Sequence, residues 1–332
     1  MKQTIQKQPE YVIRAFPNIS KRKEIDEHTF TELKAKAEIL KILWHMENSY
    51  ALIGQTYKNF EMSLFEISFD FEHGNWDSRG IGWSGQQKIH INLMALLNTM
   101  YTYLNILETS HVKKLKKLTS EDMSDIENQI SHSYDTRIEC RIMKALRNYI
   151  THTPYANIRG SINIKMENKT SDLSRCRGTS NPAVVIEILL DGDRALEKKC
   201  KKDLMQMKQD GYNQFDVKFM LRGYIEEVAK IHSVFREKTE PLFNDILGAL
   251  SEIEIDMFPD AEVPSRIQLA EFNTKNENEE PHDIGHEHHS RLKDRRREWR
   301  NFDNEQNRYY SSEVIAKNEK YPKEDKNLWI TD

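Results

Sequence analysis

The chain is 332 residues long, 31% charged and 38% hydrophobic, with a formal net charge of −4. That length suffices for one large or two ordinary domains with a full core, and the acidic balance excludes a generally basic nucleic-acid binder, leaving only local patches for RNA. Three cysteines, Cys140, Cys176 and Cys200, are widely separated and lack a CxxC pair, which excludes a disulfide framework and a zinc knuckle.

The first residues, Met1-Lys2-Gln3-Thr4-Ile5-Gln6, form no apolar h-region, and no apolar run reaches spanning length, so a cytoplasmic protein without a membrane partner is expected. Helical spacing runs through Leu33, Ala37, Leu40, Trp44, Tyr50, Ile53, Tyr57, Phe60 and Leu64 and predicts a long first helix. It extends to about Phe71, although Phe65, Ile67, Phe69 and Phe71 also alternate like a strand. Glycines at 74, 80 and 82 mark a loop, and Ser84 with Gln87 forms a capping box opening a second helix. That helix, through Leu93, Leu96, Leu97, Met100 and Leu104, is apolar nearly all round. Its seam of Asn98, Thr102 and Asn105 reads as a satisfied core network.

The next helix carries the most informative pattern. Ile138, Ile142, Met143, Ala145, Leu146, Tyr149 and Ile150 fall in one apolar sector, while Arg141, Lys144, Arg147, Asn148, Thr151 and His152 fill the opposite one. Thr153-Pro154 stops the helix, because a residue before proline is pushed out of the α region. His152 therefore sits in the last turn, where the helix dipole favours a cation. Arg147 and His152 are about 140° apart around the axis, so they flank the polar face without touching. Cleaving a phosphodiester needs one group to take a proton and another to give one. Two copies packed about a two-fold axis would supply two histidines for proton transfer and two arginines for forked phosphate contacts.

The Leu146-Arg147-Asn148-Tyr149-Ile150-Thr151-His152 segment resembles the motif of the HEPN superfamily: Arg, a polar residue, a short spacer and His. The stretch from Leu96 to Leu104 is similar to the helix that precedes the motif. The resemblance implies a HEPN-like helical bundle that dimerises and cleaves RNA without metal, leaving 2′,3′-cyclic phosphate ends. Arg147, Asn148 and His152 are the implied catalytic residues, Asn148 orienting His152 or holding a phosphate oxygen. A bacterial toxin or phage-defence effector, with a possible cognate inhibitor protein, is the implied context. The alternative is a catalytically silent dimer that binds RNA, nucleotide or a partner protein. Tyr155 lies three residues after His152 instead of two, which departs from family members silenced by tyrosine modification.

Beyond the motif, Ile158–Met166 alternates and the run from Ala183 to Leu190 is β-branched, predicting a β-hairpin inserted at about 157–191. Its loop would hold Arg175 and Arg177. Together with Arg141, Lys144, Thr151 and Tyr155 these are the expected RNA contacts. Helical spacing resumes from Ala195 and again from Val217 to Leu250, with Pro241 expected to kink or divide the last helix. Lysine clusters at 113, 114, 116, 117 and at 198, 199, 201, 202 mark further basic patches, as do Arg291, Lys293, Arg295, Arg296, Arg297 and Arg300. The expected organisation is a mainly α domain over 1–257 and a charged, partly ordered C-terminal arm over 258–332, dispensable for folding. His282, His286, His288 and His289 have ligand chemistry, but Pro281 and Gly285 argue against a helical ligand pair. Neither a metal nor a cofactor is expected.

Overall fold

The computed structural model describes residues 10–16, 22–72, 83–153, 158–166, 175–192, 196–257, 266–272, 282–284, 286–297, 302, 305 and 313–317. In chain order the elements are β1 (Glu10–Phe16), β2 (Arg22–Ile25), α1 (Glu27–Glu72), α2 (Trp83–Ile106), a π-helical turn (Leu107–His111), α3 (Val112–Thr119), α4 (Ser124–Thr136) and α5 (Ile138–His152). They continue with β3 (Ile158–Met166), β4 (Arg175–Val185), α6 (Ile186–Gly192), α7 (Lys198–Gln209), β5 (Gln214–Asp216), α8 (Val217–Met257), β6 (Arg266–Phe272), β7 (His282–Asp283), α9 (His286–Arg295) and β8 (Glu313–Lys317). The fold is mainly helical with two small antiparallel sheets. Among the described residues no helix is long and apolar enough to cross a membrane.

Two compact units emerge from the contacts. The first comprises residues 1–51, 103–130 and 230–301. Helix α1 opens at Asp26, whose carboxylate accepts the Thr29 backbone N–H at 2.8 Å, a side-chain cap that satisfies an orphan amide. Its inward stripe, Phe30, Leu33, Leu40, Leu43 and Met46, is buried. The sheet has the order β2-β1-β6-β7, and β1 pairs with β6 from Glu10↔Phe272 to Phe16↔Arg266. Ile267 and Leu269 of β6, with Ile284 and Leu292, are buried. Strand β6, Ile284 and Leu292 thus pack within the first unit, although they lie in the stretch beyond 257 that the sequence reads as a charged arm. Alternation in Arg266–Phe272 is too short to stand out against its charged flanks, and only pairing with β1 gives it an apolar face. Helix α8 continues through Pro241 without division. In that turn Thr239 Oγ1 donates to the Phe235 carbonyl at 2.8 Å, and the Arg296 guanidinium reaches the Arg236 carbonyl at 3.5 Å.

The second unit comprises residues 52–102, 131–229 and 302–332. Here β4 is central, flanked on one edge by β3 and on the other by β5 and β8. The hairpin expectation holds for its first strand, but the second strand starts at Arg175, and Ile186–Leu190 belongs to α6. A short continuous apolar run does not distinguish a buried strand from a buried helix. Helices α5, α6 and α7 pack on one another, and Leu146 of α5, Ile186 and Leu189 of α6, and Cys200 and Leu204 of α7 are all buried.

Candidate functional site

Helix α5 spans the expected Ile138–His152 and ends where Thr153 turns extended, at φ −118° and ψ 111°, ahead of Pro154. Its first half is enclosed, with Glu139 to Met143 all buried. Arg141 is only 6% exposed. Its Nε donates to Asp203 Oδ2 at 2.5 Å, and one terminal nitrogen donates to the carbonyls of Tyr134 and Asp135 at 2.7 and 3.0 Å. Arg141 is therefore a buried tie between α5 and α7, which takes it out of the expected RNA contacts. The helical wheel places it on the polar sector correctly, but nothing in the local sequence announces that α7 covers that turn. Burial pushes the neighbouring Cys140 thiol up to about 12, helped by the negative charge of Glu227 and Glu139.

The second half of α5 opens to solvent and carries the motif. Arg147 is half-buried, and its head group is held from three sides. Nε donates to Asn98 Oδ1 of α2 at 2.9 Å, a terminal nitrogen donates to Asn148 Oδ1 at 3.1 Å, and the guanidinium lies 4.1 Å from the centre of the Tyr101 ring. All three partners are neutral. Among the described residues no carboxylate meets Arg147, so a fixed cation retains open donors. Its charge extends to the buried Tyr224 of α8. There burial dominates and raises the phenol, the potential of Cys140 adds to the rise, and Arg147 opposes it.

Asn148 therefore bridges toward Arg147 on one side. On the other it lines a cavity of about 40 Å³ with Tyr134, Lys144 and Glu197. One turn on, His152 lies about 40° around the axis from Asn148, on the same side of the helix. His152 and Thr151 are exposed, and Thr151 Oγ1 donates back to the Arg147 carbonyl at 2.8 Å. Lys144 lies 4.9 Å from the Tyr134 ring centre and pairs with Glu197 at 2.8 Å, an exposed pair that water screens and an anion can displace. Tyr155 lies outside the described residues. Arg175 and Arg177 lie not in a loop but on β4, where Arg177 pairs with Lys165 of β3 and Arg175 with Lys317 of β8. The structure thus gathers Lys144, Arg147, Asn148, Thr151 and His152 on one end of α5.

Sequence reasoning missed Asn98 and Tyr101 as partners of the motif. The signal was present as a polar seam in an otherwise apolar helix, but the seam is no core network: Thr102 and Asn105 are exposed, and of the three it is Asn98 that meets Arg147. The array can fix an anion at Arg147 and place an exposed imidazole and a hydroxyl on the same helix end.

A second polar cluster was not foreseen at all. In the first unit Glu47 is 1% exposed and receives Arg236 at 2.6 Å, Arg296 at 3.2 Å and His232 Nε2 at 3.2 Å. His232 Nδ1 in turn meets the Tyr103 hydroxyl at 2.8 Å, and its ring stacks on Tyr50 with centroids 3.8 Å apart. Burial pushes His232 down to about 4, with the two arginines adding to the fall and Glu47 opposing it. The imidazole is therefore neutral, donating from Nε2 to Glu47 and accepting the Tyr103 proton at Nδ1. Burial by itself raises the Glu47 carboxyl, but the hydrogen bonds from His232 and Arg236 and the Arg236 charge prevail and hold it at about 2.

Of the histidine-rich stretch, His282 lies in β7 while α9 begins only at His286, so no helical ligand pair spans 282 and 286. Among the described residues no group of three or more His, Cys, Asp or Glu side chains is arranged to hold a metal ion. Comparison with family models, with curated proteins and with solved structures finds no match to this chain.

Proposed function

We propose that this chain is a metal-independent endoribonuclease acting as a symmetric dimer. The observation that carries the reading is Arg147, a half-buried guanidinium fixed by two amide oxygens and an aromatic ring, with no carboxylate among the described residues to neutralise it. A cation positioned by neutral groups has its charge free for a ligand anion, and the planar fork matches phosphate oxygens. The exposed His152 on the same helix supplies an imidazole, a side chain that can both take and give a proton.

In the reaction, one His152 removes the proton from a ribose 2′-hydroxyl, and that oxygen attacks the adjacent phosphorus. The bond to the 5′-oxygen breaks as the partner copy's imidazolium donates its proton to the leaving oxygen. The two arginines oppose the charge that builds on the equatorial phosphate oxygens. The products are a 2′,3′-cyclic phosphate and a 5′-hydroxyl. The resemblance of the Arg147-to-His152 segment to the HEPN superfamily supports the same reading, and with it a role as a toxin or phage-defence effector.

The test is incubation of the purified chain with mixed RNA in EDTA beside a His152→Ala control. Cyclic phosphate ends that appear with the wild type and not with the variant support the proposal. Intact RNA with both, or equal cutting by both, overturns it.

A further inference from the structure

Helix α7 presents a face that the fold itself does not use. Cys200 and Leu204 are 1% and 0% exposed, and with Asp203 they turn toward α5, where the Cys200 thiol donates to the Arg141 carbonyl at 3.6 Å. On the opposite face Lys198, Lys199, Lys201 and Lys202 are all exposed. They line an open recess of about 720 Å³ together with Met205, which is 49% exposed. Lys199 pairs with Asp135 at 2.8 Å, but Lys198, Lys201 and Lys202 form no ion pair among the described residues. This arrangement works against the helix. Lysines three and four residues apart repel one another, and the first turn carries no acidic residue to complement its positive dipole end.

The placement of this face is specific. Arg141 of α5 meets Asp203 of α7, while Asn148, two turns further along α5, lines a cavity with Leu196, Glu197 and Cys200. The two helices therefore run antiparallel, and the chain from Leu196 to Cys200, which opens α7, lies beside the Lys144–Asn148 stretch of α5, next to the motif.

We propose that the lysine face of α7 is a track for the phosphodiester backbone of single-stranded RNA, leading the strand to the site on α5. This rests on the ribonuclease reading. Lysines act as mobile point charges on phosphates and the recess admits a flexible strand, so the track contributes affinity without reading bases.

The test uses the full chain with His152→Ala, so that RNA is bound and not consumed, and a fluorescein-labelled 20-nucleotide single strand. Affinity is measured from 50 to 200 mM NaCl with and without Lys198→Gln, Lys201→Gln and Lys202→Gln together. Three lost phosphate contacts lower the slope of log K against log salt by about 2, making the loss of affinity roughly 20-fold larger at 50 mM than at 200 mM. In the enzyme that retains His152, the same triple variant is expected to raise KM and leave kcat unchanged. A Lys113→Gln/Lys117→Gln variant, equally exposed but on α3, is expected to keep the parent slope. If the parent binds RNA and the wild type cuts it, yet the slope is unchanged by the α7 variant or equally changed by the α3 variant, the track is wrong and the catalytic reading stands. If neither binding nor cutting of RNA occurs, or the lysine face binds anionic vesicles and not RNA, both fall.

Discussion

Arg147 on one side and the pair Arg236 and Arg296 on the other show two ways a fold can hold a guanidinium. In the first unit both arginines converge on the buried Glu47 carboxylate, and Arg296 also reaches Glu240 at 2.5 Å and lies over the Phe243 ring. Their charge is consumed internally. In the second unit Arg147 is oriented as firmly, but by amide oxygens and a phenol ring that leave its charge intact. What separates a structural arginine from a binding arginine is thus the charge of its partners more than its burial.

The largest expected effect tests the binding side. Arg147→Ala and His152→Ala are each expected to reduce RNA cleavage in EDTA by roughly 10²-fold or more, while the melting temperature stays nearly unchanged because neither side chain fills the core. A variant that loses activity only in proportion to lost folded protein would place Arg147 with the structural arginines.

The structural side predicts the reverse. Glu47→Gln removes the anion of the half-buried Arg236 and leaves the buried Arg296 with Glu240 alone, and is expected to destabilise by about 3 kcal/mol in urea melts. Truncation after Met257 removes β6, whose strand pairs with β1, along with Arg296, Ile284 and Leu292. It is expected to abolish cooperative unfolding of the first unit; a truncated chain that melts like the full one would show that the tail only rests on the core.

Acid sharpens the contrast further. His232 is held at about 4 in the fold against 6.5 in an open chain, so the unfolded state takes up the proton first. Stability is complete above pH 6.5 and falls as pH drops toward 4, by up to about 1.4 kcal/mol per unit. Glu47, at about 2 against 4.5, continues the loss from pH 4.5 downward. His111 adds to the first window in the same direction, its ring pushed down to about 4 by burial and by the nearby His45 and Lys114. Urea melts at pH 7, 5.5 and 4.5 check this, and equal midpoints would mean that His232 is already charged in the fold. The smallest effect belongs to Asn98→Ala, which removes one neutral acceptor from Arg147 and is expected to weaken RNA binding by about 1 kcal/mol, roughly fivefold.

The long helices and the motif helix were legible because each pairs a 3.6-residue apolar period with a clear stop: Thr153 before Pro154 ends α5, and glycine-rich sequence follows α1. The candidate site was legible for the residues that share α5, since helical geometry alone aligns them. Asn98 and Tyr101 were not, because they come from another helix about fifty residues away and only packing unites them with Arg147. Arg141 misled for the same reason: a wheel shows which side a residue faces but not what covers that side. The Glu47 cluster was hidden because a charge inside an apolar stripe reads as an exception until its partners, nearly two hundred residues distant and more, are in place.

The two buried cysteines flanking Arg141 give the second unit a built-in reporter. Cys140 and Cys200 are buried and not joined in a disulfide, and Cys140 resists ionisation up to about 12. Since only an exposed thiolate reacts, an alkylating reagent can label Cys200, which meets the Arg141 carbonyl, only during moments when α5 and α7 part. Cys140, near Glu227 and Tyr224 of α8, serves as a second clock on the same helix. Labelling kinetics resolved by peptide mapping would therefore time the breathing of the helix pair beneath the site. A ligand that settles on Arg147 and closes the pair is expected to slow that clock without touching either sulfur.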